Sequence, residues 1–324
     1  MLEIFQEIDS VRLNFSDEGK MMLNATIAFI MFGVALELKP KDFIKLFKSP
    51  KPALVGILSQ FILMPLLTFL IALSLGDFIT PTIGLGMVLV AACPGGNISN
   101  FMSSLAKGNV ALSVSLTAFS SFGGMILTPL NFAFWGNLYI QTYSNQNAVG
   151  LVRELNIDVL DVLVTILIIL GIPLVAGVLF NLKFPELTSK ILKTIKRISI
   201  LAFIAIVVII FTKNLDLFLT YIKYIFLLVL VHNALALTMG YFTGKAFRLN
   251  KTDCKTISIE TGIQNSGLAL ALLFNPSIFP EDMAVGGMAF IAGWWGIWHI
   301  ISGLTMAGFW SGFSLSKEEE TAPA

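Results

Sequence analysis

Ten residues near the end of the chain, SIETGIQNSG from Ser258 to Gly267, place acidic, amide and hydroxyl side chains inside an apolar region. Neutral oxygens around a carboxylate favour an alkali cation such as sodium over a proton. Glu260 lies about seven residues into this region, about 10 Å deep at 1.5 Å per residue. An ionised carboxylate at that depth in a membrane costs several kcal/mol unless it is paired or hydrated. A protonated Glu260 that is hydrogen-bonded to a neighbouring helix is the alternative.

The same stretch contains residues that weaken a helix. Gly262 and Gly267 flank its amide side chains, and each glycine costs a helix about 1 kcal/mol. An interrupted helix would turn the carbonyls of residues such as Thr261 and Ile263 into a cavity. Non-helical backbone at membrane depth is tolerated only where it is buried in protein or lines such a cavity.

A second interruption is predicted in AACPGGNISN, from Ala91 to Asn100. Pro94 removes a helix donor and clashes with the preceding turn, while Gly95 and Gly96 permit unwinding. A kink alone explains the proline. It does not explain the three polar residues that follow within four positions.

The composition places both stretches in a membrane. Hydrophobic residues make up 56% of 324 positions and charged residues 13%, with a mean hydropathy of +0.84. Soluble domains carry roughly 25% charged residues, so this chain cannot cover a water-facing surface. Its long apolar runs lack strand alternation, which favours membrane-spanning helices. The net charge of +1 does not point to any class of partner, and no basic block suggests nucleic acid.

Nine apolar runs approach or exceed the length of about 20 residues that crosses a bilayer. They are Met21–Leu38, Ala53–Leu75, Pro81–Ala106, Val110–Trp135, Val159–Leu182, Thr194–Thr212, Leu215–Phe247, Asp253–Phe274 and Met283–Phe313.

Lysine and arginine placement predicts the orientation of these spans. If the spans alternate, sixteen basic residues fall on one side and five on the other. The side with more basic residues faces the cytoplasm, so the N-terminus lies outside and the C-terminus inside. The first 20 residues have neither a basic segment nor an apolar core, so they are predicted to be an external tail rather than a signal peptide.

Two interrupted spans in corresponding halves of a chain indicate a secondary transporter with inverted repeats. In such proteins carboxylates and unwound carbonyls bind the coupling cation, and half-helix N-termini favour an anion. A sodium/proton exchanger or a proton-coupled carrier that uses Glu260 is an alternative. An intramembrane enzyme with Glu260 and a histidine as acid and base is less favoured, because the sequence has no metal triad, nucleophile elbow or acidic pair. We expect no cofactor.

Four segments resemble the bacterial branch of the sodium/bile acid symporter family. They are FIMFGVALELKPKDF, CPGGNISNFMSSLAKGNVALSVSLTAFSS, IETGIQNSGLALAL and WHIISG, and the similarity runs from about Phe29 to Phe313. The resemblance implies a nine-span protein with a panel domain (21–38 and 159–212) and a core domain (53–135 and 215–313). An external tail (1–20) and a cytoplasmic tail (314–324) complete this division.

The resemblance also implies two sodium sites. The first would use side chains of Ser99, Asn100, Ser113, Thr117 and Glu260, of which Ser113 and Thr117 share a helix face. The second would use Gln60 and Gln264, Glu260, and the carbonyls of Thr261 and Ile263. For Gln60 the residues alone favour an interhelical hydrogen bond.

Substrate contacts are expected from Gly96, Asn97, Asn265, Ser266 and His299. His232 is expected to make a buried interhelical hydrogen bond instead. The implied activity couples inward sodium movement, with two ions, to uptake of an organic anion by alternating access. The anion would be bile-acid-like or a small carboxylate, and the protein would lie in the lipid of the inner cell membrane.

Overall fold

The structure is a computed structural model that describes residues 2–10, 17–36, 38, 50–96, 98–146, 157–213, 215–275, 278–279, 283 and 285–312. Within these ranges the backbone is helical, with no strand and one isolated antiparallel bridge between Gly95 and Gln264. The fold is that of an all-helical, multi-pass membrane protein. The predicted cytoplasmic tail, 314–324, lies outside the described residues.

Fourteen α-helices are named here in chain order, with two π-helical turns, Ser59–Leu63 and Leu167–Gly171, between consecutive helices. The helices are α1 Leu2–Ser10, α2 Asp17–Ala35, α3 Pro50–Leu58, α4 Met64–Leu75, α5 Pro81–Ala92, α6 Ser99–Leu105, α7 Val110–Gln146, α8 Val159–Ile166, α9 Ile172–Lys183, α10 Pro185–Lys213, α11 Leu215–Ala246, α12 Lys251–Gly262, α13 Ser266–Leu273 and α14 Gly286–Ser311.

Five continuous stretches of the described chain are long and apolar enough to cross a membrane. They match the second, fourth, fifth, seventh and ninth predicted spans: Pro50–Phe78, Val110–Tyr143, Val159–Lys183, Leu219–Ala246 and Gly286–Ser311. The third and eighth predicted spans are each divided into two shorter helices by a break. The count of nine spans therefore stays a prediction.

The N-terminal segment that was predicted to be an external tail contains a helix that the sequence analysis missed. In α1, Phe5 and Ile8 lie three residues apart and are buried. The Phe5 ring packs edge-on against Tyr224 of α11, with 6.4 Å between centroids. Spacing of three or four residues between apolar side chains is typical of an amphipathic helix, so Phe5 and Ile8 were the signal.

The interrupted helices occupy the centre of the protein. All twelve residues of α5 and all eight of α13 are buried, as are residues 253–262 of α12. They pack against α4, α7, α11 and α14. Polar side chains on these central helices therefore face protein rather than lipid, and this arrangement positions the site.

Candidate functional site

The two predicted breaks lie against each other. α5 ends at Ala92 and α6 begins at Ser99, while Ile263 to Asn265 separate α12 from α13. The Gly96 amide donates to the Ile263 carbonyl (2.7 Å), and the Asn265 amide donates to the Pro94 carbonyl (2.9 Å). Each unwound segment thus satisfies backbone groups that the other has lost from its helix.

Local sequence explains why the backbones can approach so closely. A Cβ atom on Gly96 would lie 3.3 Å from the Gln264 carbonyl oxygen and 3.2 Å from Ile263 Cγ2. A larger residue would therefore push the segments apart. In the other unwound segment, the Asn265 side chain accepts from the Leu268 amide (3.1 Å) and caps the start of α13. An asparagine at this position stabilises a helix start.

All five members of the first predicted sodium site come together around the carboxylate of Glu260, which is buried. Ser99 Oγ donates to Glu260 Oε1 (2.7 Å), and Thr117 Oγ1 lies 3.3 Å from Oε2. Ser113 also donates to the carboxylate. Asn100 Oδ1 lies 2.9 Å from Ser113 Oγ and 3.2 Å from Thr117 Oγ1. Helices α6, α7 and α12 therefore converge on one oxygen-lined point.

The charge of this cluster is not balanced by a basic side chain in the described part of the chain, where the partners of Glu260 are hydroxyl groups. Lys255, on the same helix, instead donates to the carbonyls of Ala106 (2.8 Å) and Trp310 (3.3 Å). A buried carboxylate among neutral oxygens can bind a cation or hold a proton.

The second predicted site centres on Gln60, which lies in the π-helical turn Ser59–Leu63. Single π-helical turns occur often at functional sites. Gln60 Nε2 donates to the carbonyl of Cys93 (3.2 Å) and to Gln264 Oε1 (2.8 Å). This confirms the interhelical hydrogen bond predicted for Gln60. Its Oε1 atom is buried and has no hydrogen-bond partner, so both lone pairs of this oxygen are available to a ligand.

The two carbonyls predicted to serve the second site are already engaged. The Thr261 carbonyl accepts from Gln264 Nε2 (2.8 Å), and the Ile263 carbonyl accepts from the Gly96 amide. Each carbonyl oxygen has a second lone pair. A small cavity lies beside both Gln60 and Glu260. Its lining residues are Gly56, Ile57, Gln60, Phe61, Gly95, Leu116, Phe119, Ser120 and Glu260.

The residues expected to contact the substrate do not form one group in the way that the residues of the first predicted sodium site do. Asn97 lies outside the described residues. The backbone amides of Gly96 and Ser266 donate to carbonyls within the crossing, so they are not free to meet an anion. Asn265 is partly exposed. His299 is buried on α14, and its Nδ1 has no hydrogen-bond partner.

Other polar contacts near the crossing were predicted only in part. His232 Nε2 lies 2.7 Å from Thr68 Oγ1, which confirms the buried interhelical hydrogen bond. The sequence analysis missed Asn233, which donates to the Gly262 carbonyl (2.7 Å). Its only signal was a second polar residue beside His232 in an apolar run.

The fold and the site define a class of protein, a multi-pass membrane protein whose interrupted helices carry an oxygen-lined site. The model of the sodium bile acid symporter family matches residues 25–221, more than half of the chain. The chain belongs to this family. It is therefore a sodium-coupled transporter and not an enzyme, and sodium is its coupling ion.

Curated relatives agree with this membership. The chain is 30% identical over 285 residues to the uncharacterized sodium-dependent transporter YocS of Bacillus subtilis (strain 168), covering 88% of this chain and 81% of that protein. It is 32% identical over 270 residues to an Arabidopsis thaliana chloroplastic protein named a probable sodium/metabolite cotransporter, covering 80% and 61%. It is 30% identical over 275 residues to the P3 protein of Homo sapiens, covering 80% and 52%. The chain thus spans about half to two thirds of the last two.

Proposed function

We propose that the protein imports an organic monoanion together with two sodium ions by alternating access. The observation that carries this proposal is the Glu260 carboxylate, buried at the crossing and contacted by hydroxyls from two other helices. One cation would bind on the side of Asn100 and Thr117. The other would bind on the side of Gln60, whose unpartnered Oε1 is a suitable ligand.

Charge balance supports this stoichiometry. Glu260 contributes −1, two sodium ions contribute +2 and a monoanion contributes −1, so the loaded site is neutral in a low-dielectric interior. The cargo itself carries +1 inward. Each 100 mV of inside-negative membrane potential therefore contributes about 2.3 kcal/mol to uptake.

The alternative is proton coupling or sodium/proton exchange through Glu260. A proton site needs an accessible carboxylate but does not need several neutral oxygens around it. The amide of Gln60, the amide of Asn100 and three hydroxyl groups lie within this region, and such ligands favour sodium.

The proposed architecture has nine spans, inverted repeats and two domains. The panel of 21–38 and 159–212 is supported by the packing of α2 against α9 and α10. Phe32 of α2 meets Phe180 of α9 edge-on, with 6.0 Å between centroids. The core of 53–135 and 215–313 contains both interrupted helices. In this arrangement the protein lies in the inner cell membrane, with its N-terminus outside the cell and its C-terminus in the cytoplasm.

The test is uptake by proteoliposomes that contain the purified full chain. Organic anions are first screened by thermal shift in sodium and in choline, with bile acids, sulfated steroids, pantoate and pyruvate as probes, because a ligand that binds the folded state raises its stability. Uptake of a stabilising anion should require an inward sodium gradient and accelerate with an inside-negative potential. Equal uptake in choline and sodium, driven instead by a proton gradient, would establish the alternative.

A further inference from the structure

Asn233 of α11 is fully buried and bonds to the end of the interrupted helix α12. Its Nδ2 donates to the carbonyl of Gly262, the last residue of α12, over 2.7 Å. The last carbonyls of a helix have no partner within that helix. At a break in the middle of a membrane protein, water cannot supply one. Asn233 therefore satisfies a group that the break itself creates.

The other end of the same amide reaches α14. Asn233 Oδ1 accepts from Ser302 Oγ over 2.5 Å, and Ser302 Oγ also lies 3.2 Å from the His299 carbonyl. One side chain thus connects three elements: α11, the broken end of α12, and the α14 turn that carries His299. Both ends of the amide are used, its nitrogen as a donor and its oxygen as an acceptor.

The position of Gly262 matters for the proposed sodium ligands. It lies between Thr261 and Ile263 and directly precedes the unwound segment. A Cβ atom on Gly262 would collide with the side chain of Leu237, so α12 ends in direct contact with α11. A shift of the Gly262 carbonyl would therefore move the neighbouring carbonyls of Thr261 and Ile263.

We propose that Asn233 is a positioning residue for the second sodium site, and that its bond to Ser302 transmits sodium binding to α14. This inference rests on the proposed function, because it needs sodium at the Gln60 side of Glu260. Asn233 does not touch the ion. It acts by holding the backbone whose carbonyls, from Thr261 and Ile263, are the proposed sodium ligands. Ser302 then makes the position of α14 depend on the position of that backbone.

The first experiment measures sodium binding by calorimetry in the purified full chain, with sodium as the only ligand. Asn233→Ala should lower sodium affinity about tenfold, which corresponds to about 1.4 kcal/mol. The matched control is Ser258→Ala, because Ser258 Oγ donates to the Leu237 carbonyl (2.6 Å) and also joins α12 to α11. That control removes a buried bond between the same two helices, one turn before the break and without touching the Gly262 carbonyl, and should leave sodium affinity unchanged.

If Asn233→Ala does not fold, Asn233→Leu provides the measurement, because leucine has a similar shape, carries no charge and cannot donate to the Gly262 carbonyl. It too should weaken sodium binding. Equal effects of the Asn233 variants and Ser258→Ala would show that Asn233 is merely structural and would overturn the proposal. Absence of sodium binding in the wild-type protein would instead overturn the proposed function, and this inference with it.

The second experiment tests transmission to α14 by tryptophan fluorescence. The chain has five tryptophans, and four of them lie on α14. In a Trp135→Phe background, a sodium-induced change in fluorescence therefore reports on α14 alone. Ser302→Ala should keep sodium affinity by calorimetry but lose most of the fluorescence change, and Ser302→Thr should restore it. An unchanged response in Ser302→Ala would refute the proposed transmission.

Discussion

Replacing Glu260 by glutamine removes one charge from the site and leaves its shape. The glutamine Oε1 can still accept from Ser99, which donates to the carboxylate over 2.7 Å in the wild-type protein. The substitution therefore separates the charge of the side chain from its role as a hydrogen-bond acceptor. If the charge binds sodium, the substitution should weaken sodium binding at both proposed sites, because both sites are proposed to share this carboxylate.

The size of the effect follows from simple electrostatics. A unit negative charge about 4 Å from a sodium ion attracts it by about 4 kcal/mol at an effective dielectric constant of about 20. Loss of this attraction corresponds to about three orders of magnitude in the dissociation constant. Without sodium, the substitution should stabilise the folded protein instead. A buried carboxylate that lacks a counter-ion destabilises the folded state, so Glu260→Gln should be the more stable protein in choline.

The assay is a thermal-shift titration of wild-type and variant proteins with sodium chloride against choline chloride at equal ionic strength. Sodium should stabilise the wild-type protein in proportion to the logarithm of its concentration above the dissociation constant. The matched control is Asp253→Asn. Asp253 is also buried on α12 and accepts from Asn109 Nδ2 (2.7 Å) and Asn250 Nδ2 (2.8 Å), outside the crossing.

The expected pattern has three parts. Glu260→Gln should melt above the wild-type protein in choline and gain almost no stability from sodium. Asp253→Asn should melt lower in both media, because one of its two accepted hydrogen bonds is lost, yet keep the full sodium response. A Glu260→Gln protein that retains the wild-type sodium response would refute the assignment of the carboxylate to the ion sites.

Three further predictions concern the surroundings of this site. Thr117→Ala and Gln60→Ala each remove one neutral oxygen and should lower sodium affinity in calorimetry by about five- to 150-fold, for a loss of about 1–3 kcal/mol; an unchanged affinity would remove that residue from the ligand set. Asn265→Ala should weaken anion binding even at saturating sodium, and the loss of the α13 cap should also lower the stability of the protein by about 1 kcal/mol. Asn265→Ser keeps the cap, so it should weaken anion binding without that loss of stability. Full rescue of anion affinity by sodium in either variant would contradict the assignment of Asn265 to the anion. Burial raises the pKa of Asp9, outside the predicted spans, from 3.8 to about 6, so its contribution to stability is complete below the ordinary value and is lost as the pH rises through about 6. Asp9→Asn should therefore raise the melting temperature at about pH 8 and change it little at about pH 4, with an upper limit near 3 kcal/mol; equal shifts at both pH values would refute the role of ionisation.

Local sequence was sufficient to predict both breaks. Pro94 removes a helix donor and clashes with the preceding turn, and the glycines after it weaken a helix further. The structure accordingly ends α5 at Ala92. The four-residue spacing of Ser113 and Thr117 placed them on one face of α7, where both meet Glu260. These predictions succeeded because each depends on residues within one or two helical turns.

The features that were missed depend on contacts between distant parts of the chain. Apolar spacing in α1 is short and interrupted by charged residues, so Phe5 and Ile8 did not stand out from a polar tail. The π-helical turn that carries Gln60 precedes Pro65 at the second position of α4, and no local pattern specifies the partner of its amide. The role of Asn233 was not predicted, because a polar residue in an apolar helix does not by itself indicate which backbone group it will bond to.

The two interruptions are best understood as one structure rather than two. A helix break at membrane depth leaves backbone donors and acceptors without partners, which costs several kcal/mol for each group. Here the Pro94 carbonyl and the Gly96 amide bond to the opposite break, and Asn233 satisfies the Gly262 carbonyl. Pairing the breaks removes most of that cost and brings Glu260 of one half beside Ser99 of the other. A continuous helix in either position would leave the other break unsatisfied and would separate the carboxylate from its hydroxyl partners, so neither half could form the proposed ion site alone.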